Sequence, residues 1–116
     1  DREVLDRSIE TAAIHGGALV AVPARDTMKR VDEEGTVVET LPRHQLWLAQ
    51  TPQTFRVPLI REAHARALAD GVVVTDDAAL LERLGEMVKI VPGSYRNFKI
   101  TTSEDLQVAE ALLRSG

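Results

Sequence analysis

The stretch ALVAVPA, residues 18–24, limits the fold more than any other part of the sequence. It is a short, nearly unbroken apolar run closed by Pro23, and such a run suits a strand covered on both faces rather than one with a wet side. A strand of that kind needs helices above and below it, so the chain reads as an α/β sheet with ALVAVPA at its centre. Upstream, Val4, Leu5, Ile9, Ala12 and Ala13 recur at helical spacing from residue 1 to about 14, acidic residues come early, and Gly16-Gly17 ends the pattern. That predicts a helix with one buried face.

After the central run, DTMKRV and TVVETL flank Asp32-Glu33-Glu34-Gly35. The second run is rich in β-branched residues, which predicts an antiparallel hairpin in which Gly35 takes a positive φ, an exposed arm spanning residues 25 to about 43. LWLAQ predicts another strand. TPQTF is expected to turn rather than continue it, because Pro52 has no amide hydrogen and biases Thr51 towards extended backbone. Leu59, Ile60, Ala63, Ala67 and Leu68 predict a helix from Pro58 to Gly71. VVVTDDAALLERLG then runs from a short apolar stretch into a helix closed by Gly85, with Thr75 as its expected N-cap and Asp76 and Asp77 near the positive end of its dipole. MVKIVPG and NFKIT predict strands around a Gly93-Ser94 loop. Thr102 or Ser103 should cap a last helix whose apolar face is Leu106, Ala109, Leu112 and Leu113, with Glu110 solvated. Together these elements make one domain of mixed, mostly parallel α/β sheet with a protruding hairpin.

Composition narrows the function. With 116 residues, 44% hydrophobic and 28% charged, the chain has enough apolar side chains for one core. A formal charge of −4 argues against nonspecific nucleic-acid binding, which needs a basic face to release counterions. The absence of cysteine excludes a disulfide framework and a thiolate metal site within these residues and agrees with a reducing compartment. No apolar run approaches the roughly 18 residues needed to span a bilayer, and DREVLDRSIE is charged rather than signal-like, so a soluble, cytoplasmic protein without a membrane partner is expected. No glycine-rich phosphate loop of either the P-loop or the dinucleotide type occurs, so a nucleotide site is not complete here.

Several residues carry chemistry. Arg25, Asp26, Thr27, Lys29 and Arg30 put one hydroxyl and three cations within six residues, and on a strand Thr27 and Lys29 would share a face with Arg25 beside them. A hydroxyl and an ammonium aimed at one spot suit a phosphate monoester; a solvated, edge-protecting hairpin with surface ion pairs accounts for the same residues. Arg43 is a further candidate for holding phosphate with its planar fork. Thr51, Pro52 and Gln53 fall just beyond an expected strand end, where open α/β sheets place ligands, and they also suit a simple polar turn. Asp76 and Asp77 would bind a metal only with a carboxylate from elsewhere. Lys99, with Asn97 two positions earlier on the same expected strand face, could cover charge on a transferring phosphoryl group or be a surface lysine. His15, His44 and His64 share no metal-ligand spacing and read as surface histidines. Trp47, in an apolar strand, is expected in the core.

Taken in order, VPARDTMKR, LWLAQTPQTF, VTDDA and NFKITTSEDLQVAEALL closely resemble the 2-C-methyl-D-erythritol 4-phosphate cytidylyltransferases of the non-mevalonate isoprenoid pathway, with RDTMKR the most telling. The resemblance implies a Rossmann-like nucleotidyltransferase sheet and transfer of a cytidylyl group from CTP to methylerythritol phosphate, with release of pyrophosphate and a requirement for Mg2+. It further implies a homodimer in which the arm of one subunit reaches the other's site. On that basis Thr27 and Arg43 help bind the substrate phosphate across the interface, Thr51 and Thr75 line the methylerythritol phosphate site, and Lys99 is the catalytic lysine near the reacting phosphates. Phe98 and Ser103 stand where the family more often has Ile and Pro, away from these positions. The match is to the C-terminal half of the family protein. The half that holds the CTP loop and the metal-binding aspartate is expected as a partner, and this stretch alone is expected to be inactive. A ribitol-phosphate-type cytidylyltransferase and a noncatalytic dimerisation module are the alternatives.

Overall fold

The computed structural model describes residues 2–73, 76–97 and 101–115. Four helices and five strands follow in the order α1 (Arg2–His15), β1 (Gly17–Pro23), β2 (Lys29–Val31), β3 (Val37–Thr40), β4 (Trp47–Phe55), α2 (Val57–Asp70), α3 (Asp77–Arg83), β5 (Val88–Pro92) and α4 (Ser103–Ser115), with a 3-10 turn at Arg43–Gln45. β1 is the middle strand of a sheet ordered β4-β1-β5, as its composition predicts. On one face Ala18 and Val20 bury against Ala12 of α1 and Val91 of β5, with Val4 alongside. On the other, Ala63 and Ala67 of α2 join Leu80 and Leu81 of α3, with Phe55 and Val88 from the flanking strands. Small side chains let both layers come close: a Cβ on Gly17 would stand 2.9 Å from a Leu81 methyl.

The sheet is less parallel than expected. β5 runs parallel to β1, but β4 runs antiparallel to it, so among the described residues this sheet has one pairing of each kind. The larger correction is that no turn interrupts LWLAQTPQTF, since β4 continues through a cis Thr51-Pro52 bond to Phe55. The pairing absorbs the proline. Leu19 opposes Gln53 and Ala21 opposes Ala49, so Gln50, Thr51 and Pro52 together face the single residue Val20. A proline that donates nothing to the ladder is accommodated at such a bulge on an edge strand.

The hairpin forms as expected, with β2 and β3 antiparallel and Gly35 at φ 84°. The Asp32 carboxylate accepts from the amides of Glu34 and Thr36 and holds the turn. Two apolar faces are drawn differently from their periodicity. α1 buries Ser8 and Ala12, leaving Leu5, Ile9 and Ala13 exposed; Ser8 is fully enclosed and its hydroxyl bonds to that of Thr54 on β4. α2 buries Ala63 and Ala67 but exposes Leu68. Trp47 is 39% exposed rather than a core residue, because it lies at the outer end of the edge strand opposite Pro23. Val72 and Val73 form no strand. The expected N-cap Thr75 lies outside the described residues, as does NFKIT from Phe98 to Ile100; the cap of α3 is Asp76, whose carboxylate accepts from the amide of Ala79. No helix among the described residues is long and apolar enough to cross a membrane.

Thr102 caps α4 as expected. Its hydroxyl accepts from the Asp105 amide, while the Asp105 carboxylate accepts from both the amide and the hydroxyl of Thr101 and from the Thr102 amide, a reciprocal box at the positive end of the helix. Ala109 and Leu112 of its apolar stripe are partly covered, whereas Leu106 and Leu113 are exposed, and Glu110 reaches Arg114 at the surface. The bonds from Thr101, its amide first, hold the Asp105 carboxyl below its ordinary 3.8. A depressed carboxyl stabilises the fold above the unfolded value and stops doing so as pH falls through the folded one. A carbon-detected NMR titration should therefore place the Asp105 midpoint below 3.8, with faster amide exchange at Thr101 and Thr102 once it is passed; a midpoint at or above that value would contradict the box.

Candidate functional site

A cleft of about 1060 Å³ opens where the carboxyl end of β5 meets the amino end of α1. Carboxyl ends of strands are where open α/β sheets bind ligands. Thr51 and Pro52 of the β4 bulge form one wall, Gly93, Ser94, Arg96 and Asn97 after β5 another, and Arg2, Val4, Leu5 and Arg7 of α1 the third. Three arginines, Arg2, Arg7 and Arg96, line the cleft, and that much positive charge favours an anion. Two of them also hold structure, since Arg7 reaches the Pro92 carbonyl at 3.4 Å and Arg96 donates to the Leu112 carbonyl of α4 at 2.9 Å.

The walls are stapled to each other across β1. Gly93 donates its amide to the Ala21 carbonyl at 2.9 Å, Gln50 donates its side-chain amide to the Ser94 carbonyl at 2.9 Å, and Asn97 donates its own to the Thr51 carbonyl at 2.7 Å. Inside the turn, Ser94 accepts from the amides of Arg96 and Asn97. The bulge that displaces Thr51 from the ladder is thus fixed by the segment that leads towards Lys99. The sequence offered no signal for Gln50 and Ser94. Asn97 was expected on a strand face with Lys99, but it lies in a loop and serves Thr51 instead.

Of the five residues expected at a site, Thr51 is exposed in this cleft, while Thr75 and Lys99 lie outside the described residues. Thr27 and Arg43 are exposed at the root of the arm. Thr27 precedes β2, so it does not share a strand face with Lys29. The cations around it have partners within the chain: Lys29 donates to the Thr40 hydroxyl at 2.6 Å, Arg30 pairs with Glu39 at 2.7 Å, and Arg25 stacks 3.6 Å above the centre of the Tyr95 ring. Arg43 donates one nitrogen to the Arg25 carbonyl at 2.7 Å; a guanidinium has five N–H donors, so this bond is compatible with holding a phosphate as well.

Other candidates are taken up by the fold. Gln53 accepts from the Ala78 amide at the start of α3 rather than facing a ligand. Asp76 is a cap, and Asp77 lies 3.4 Å from His64 at the surface between α2 and α3. Among the described residues no group of three or more His, Asp or Glu comes together in a way that could hold a metal ion.

Comparison with known proteins agrees with the motifs. The family profile of IspD, 2-C-methyl-D-erythritol 4-phosphate cytidylyltransferase, matches residues 1–115. The cytidylyltransferase of that name from Geotalea uraniireducens is 60% identical over 97% of this chain, and the one from Geobacter metallireducens 54% over the same share. The chain spans about half the length of these relatives, 48% in each case. Among solved structures, the Thermus thermophilus cytidylyltransferase superposes on 98% of the chain with a TM-score of 0.87 at 40% identity. The Anaerococcus prevotii 4-diphosphocytidyl-2C-methyl-D-erythritol synthase does so over 98% with a TM-score of 0.89 at 35% identity, and the chain covers 56% and 53% of those two structures.

Gly93, which lines the cleft, leaves no room for a side chain. A Cβ there would lie 2.5 Å from Gln50 Oε1 and 2.7 Å from a methyl of fully buried Val20. Gly93→Ala should therefore push Gln50 off Ser94 and destabilise the protein by about 1–3 kcal/mol, the usual cost of overpacking. Denaturant unfolding measures the loss, and an unchanged midpoint would show that the turn yields without cost.

Proposed function

The chain belongs to the 2-C-methyl-D-erythritol 4-phosphate cytidylyltransferase family, and from that premise we propose that these residues are the C-terminal half of an enzyme that transfers a cytidylyl group from CTP to methylerythritol phosphate. In that reaction an acceptor phosphate oxygen attacks the α-phosphorus of CTP, a new P–O bond forms, and the bond to the β-phosphate breaks as pyrophosphate leaves. The observation that carries the assignment is Thr51, lifted out of the β4 ladder into an arginine-rimmed cleft and fixed there by Asn97, two residues before Lys99. It supports a site that grips anions at the carboxyl end of the sheet.

Phosphoryl transfer asks mainly for positioning and for charge placed where negative charge moves. Thr51 and Thr75 supply hydroxyl donors to the acceptor, and Lys99 supplies an ammonium near the reacting phosphates. Thr27 and Arg43, carried on an arm that stands off the sheet, serve the acceptor phosphate of a second subunit in a homodimer. The family's Mg2+ would neutralise phosphate charge when bound. The described residues do not fit it, since no acidic cluster forms among them, and its ligands belong to the half that also supplies the CTP loop. Cytoplasmic isoprenoid biosynthesis is the setting this reading implies.

Pyrophosphate release by the full-length protein, supplied with CTP and either methylerythritol phosphate or ribitol phosphate, tests the assignment. Turnover should require methylerythritol phosphate; equal or better turnover with ribitol phosphate would overturn it. Arg43→Ala should raise the KM for the acceptor about 10- to 100-fold, as expected for losing a charged hydrogen bond, with the CTP KM nearly unchanged. Lys99→Ala should depress kcat by a comparable or larger factor, and normal turnover in that variant would remove Lys99 from the chemistry.

A further inference from the structure

The arm leaves the sheet through a joint that its backbone does little to hold. Beyond the bond from the Ala24 amide to the Leu46 carbonyl at 2.9 Å, residues 25–28 form no strand, and the ladder resumes only where the Leu41 amide meets the Met28 carbonyl at 3.0 Å. A two-stranded ribbon on such a joint has no sheet neighbour to set its direction. Side chains supply what the backbone lacks. Arg25, the first residue of the joint, sits over the Tyr95 ring with 3.6 Å from guanidinium carbon to ring centre. The Tyr95 hydroxyl donates to the Pro23 carbonyl at the end of β1 at 2.6 Å, and Arg43 on the returning side donates to the Arg25 carbonyl at 2.7 Å. Tyr95 itself belongs to the turn that Gln50 and Asn97 tie to β4.

We propose that Tyr95 is a positioning residue: with Arg25 it forms a clamp that sets the direction of the arm and ties it to the turn lining the cleft. One aromatic ring thereby links the two places that act on different subunits in the proposed dimer, the cleft of its own chain and the Thr27-bearing arm offered to the other. The ring face attracts the guanidinium and its hydroxyl anchors the ring to β1, so the two parts of the contact are separable by substitution. The consequence for acceptor binding rests on the function proposed above; the clamp does not.

The test uses the full-length protein with spin labels at Glu34→Cys on the arm tip and Glu62→Cys on α2, both exposed, diluted with unlabelled subunits. The parent should give one narrow distance distribution by pulsed electron resonance. Tyr95→Ala should broaden or shift it most, Tyr95→Phe, which keeps the ring and loses only the bond to Pro23, should change it less, and Arg25→Ala should add nothing to Tyr95→Ala in the double variant. A narrow, unshifted distribution in a folded Tyr95→Ala protein would overturn the clamp, as would equal effects of Phe and Ala. In turnover, Tyr95→Ala should raise the acceptor KM about five- to tenfold, the scale of one cation–π contact and one hydrogen bond, with the CTP KM unchanged. A broadened arm with unaltered acceptor KM would uphold the clamp and count instead against the arm's role in acceptor binding.

Discussion

Close approach of helices to both faces of β1 is the constraint on which the other elements depend. The strand allows it because its inward positions are small: Gly17 gives way to Leu81 on one side, and Ala18 admits Ala12 on the other. In interiors packed at crystal-like density the layer spacing follows from side-chain volume, so glycine and alanine here decide how near α1 and α3 lie to the sheet. That nearness brings the amino end of α1 over the carboxyl end of β5, and the space left between them is the cleft. It also explains a serine in the core. Ser8 is fully enclosed against β4 and answers the Thr54 hydroxyl there, so the buried hydroxyl is satisfied within the layer.

What the sheet end holds in place is a short turn with many duties. Residues 93–97 receive the β4 bulge through Gln50 and Asn97, the end of β1 through Tyr95 and Gly93, and the far end of α4 through Arg96. Each bond is modest, of the order of a single exposed or half-buried hydrogen bond. Their joint effect is geometric: three separate stretches of chain are held to a common frame beside the cleft. In the proposed transfer, which brings two phosphates together against their repulsion, a fixed frame would count for more than any one contact.

Much of this was legible before any coordinates. The unbroken apolar run identified β1 and its two coverings, Asp32 to Gly35 identified the arm's turn, and the hydroxyls of Thr102 and Ser103 before an apolar stripe identified the start of α4. These are local signals with one physical meaning each. The misreadings share a cause in tertiary context. Pro52 reads as a strand breaker unless the pairing partner is known to skip past it, and Leu5 and Ile9 read as a buried stripe unless the sheet beneath is known to favour Ala12 and Ser8 instead. Tyr95 gave no signal because its importance comes from Arg25 and Pro23, seventy or more positions away in the chain. Thr51 and Arg43 stood out by position and residue type beside simpler readings, and resemblance to a family gave them their expected roles; the bulge shows how Thr51 comes to lie in the cleft.

The bulge in β4 carries one more implication, concerning length variation. Three residues stand there against one on β1, an excess of two, so residues before and after the bulge keep the same phase: Leu48 and Thr54 point to the same side of the sheet, with Thr54 towards Ser8. An even change in the length of this bulge keeps that phase by itself, whereas an odd change needs a residue that breaks the alternation, as Val38 does against the step from Arg30 to Val31 in the arm. Without such a residue, an odd change would exchange the residues that one end of β4 turns to the two faces of the sheet and leave the Ser8 hydroxyl with no answering group.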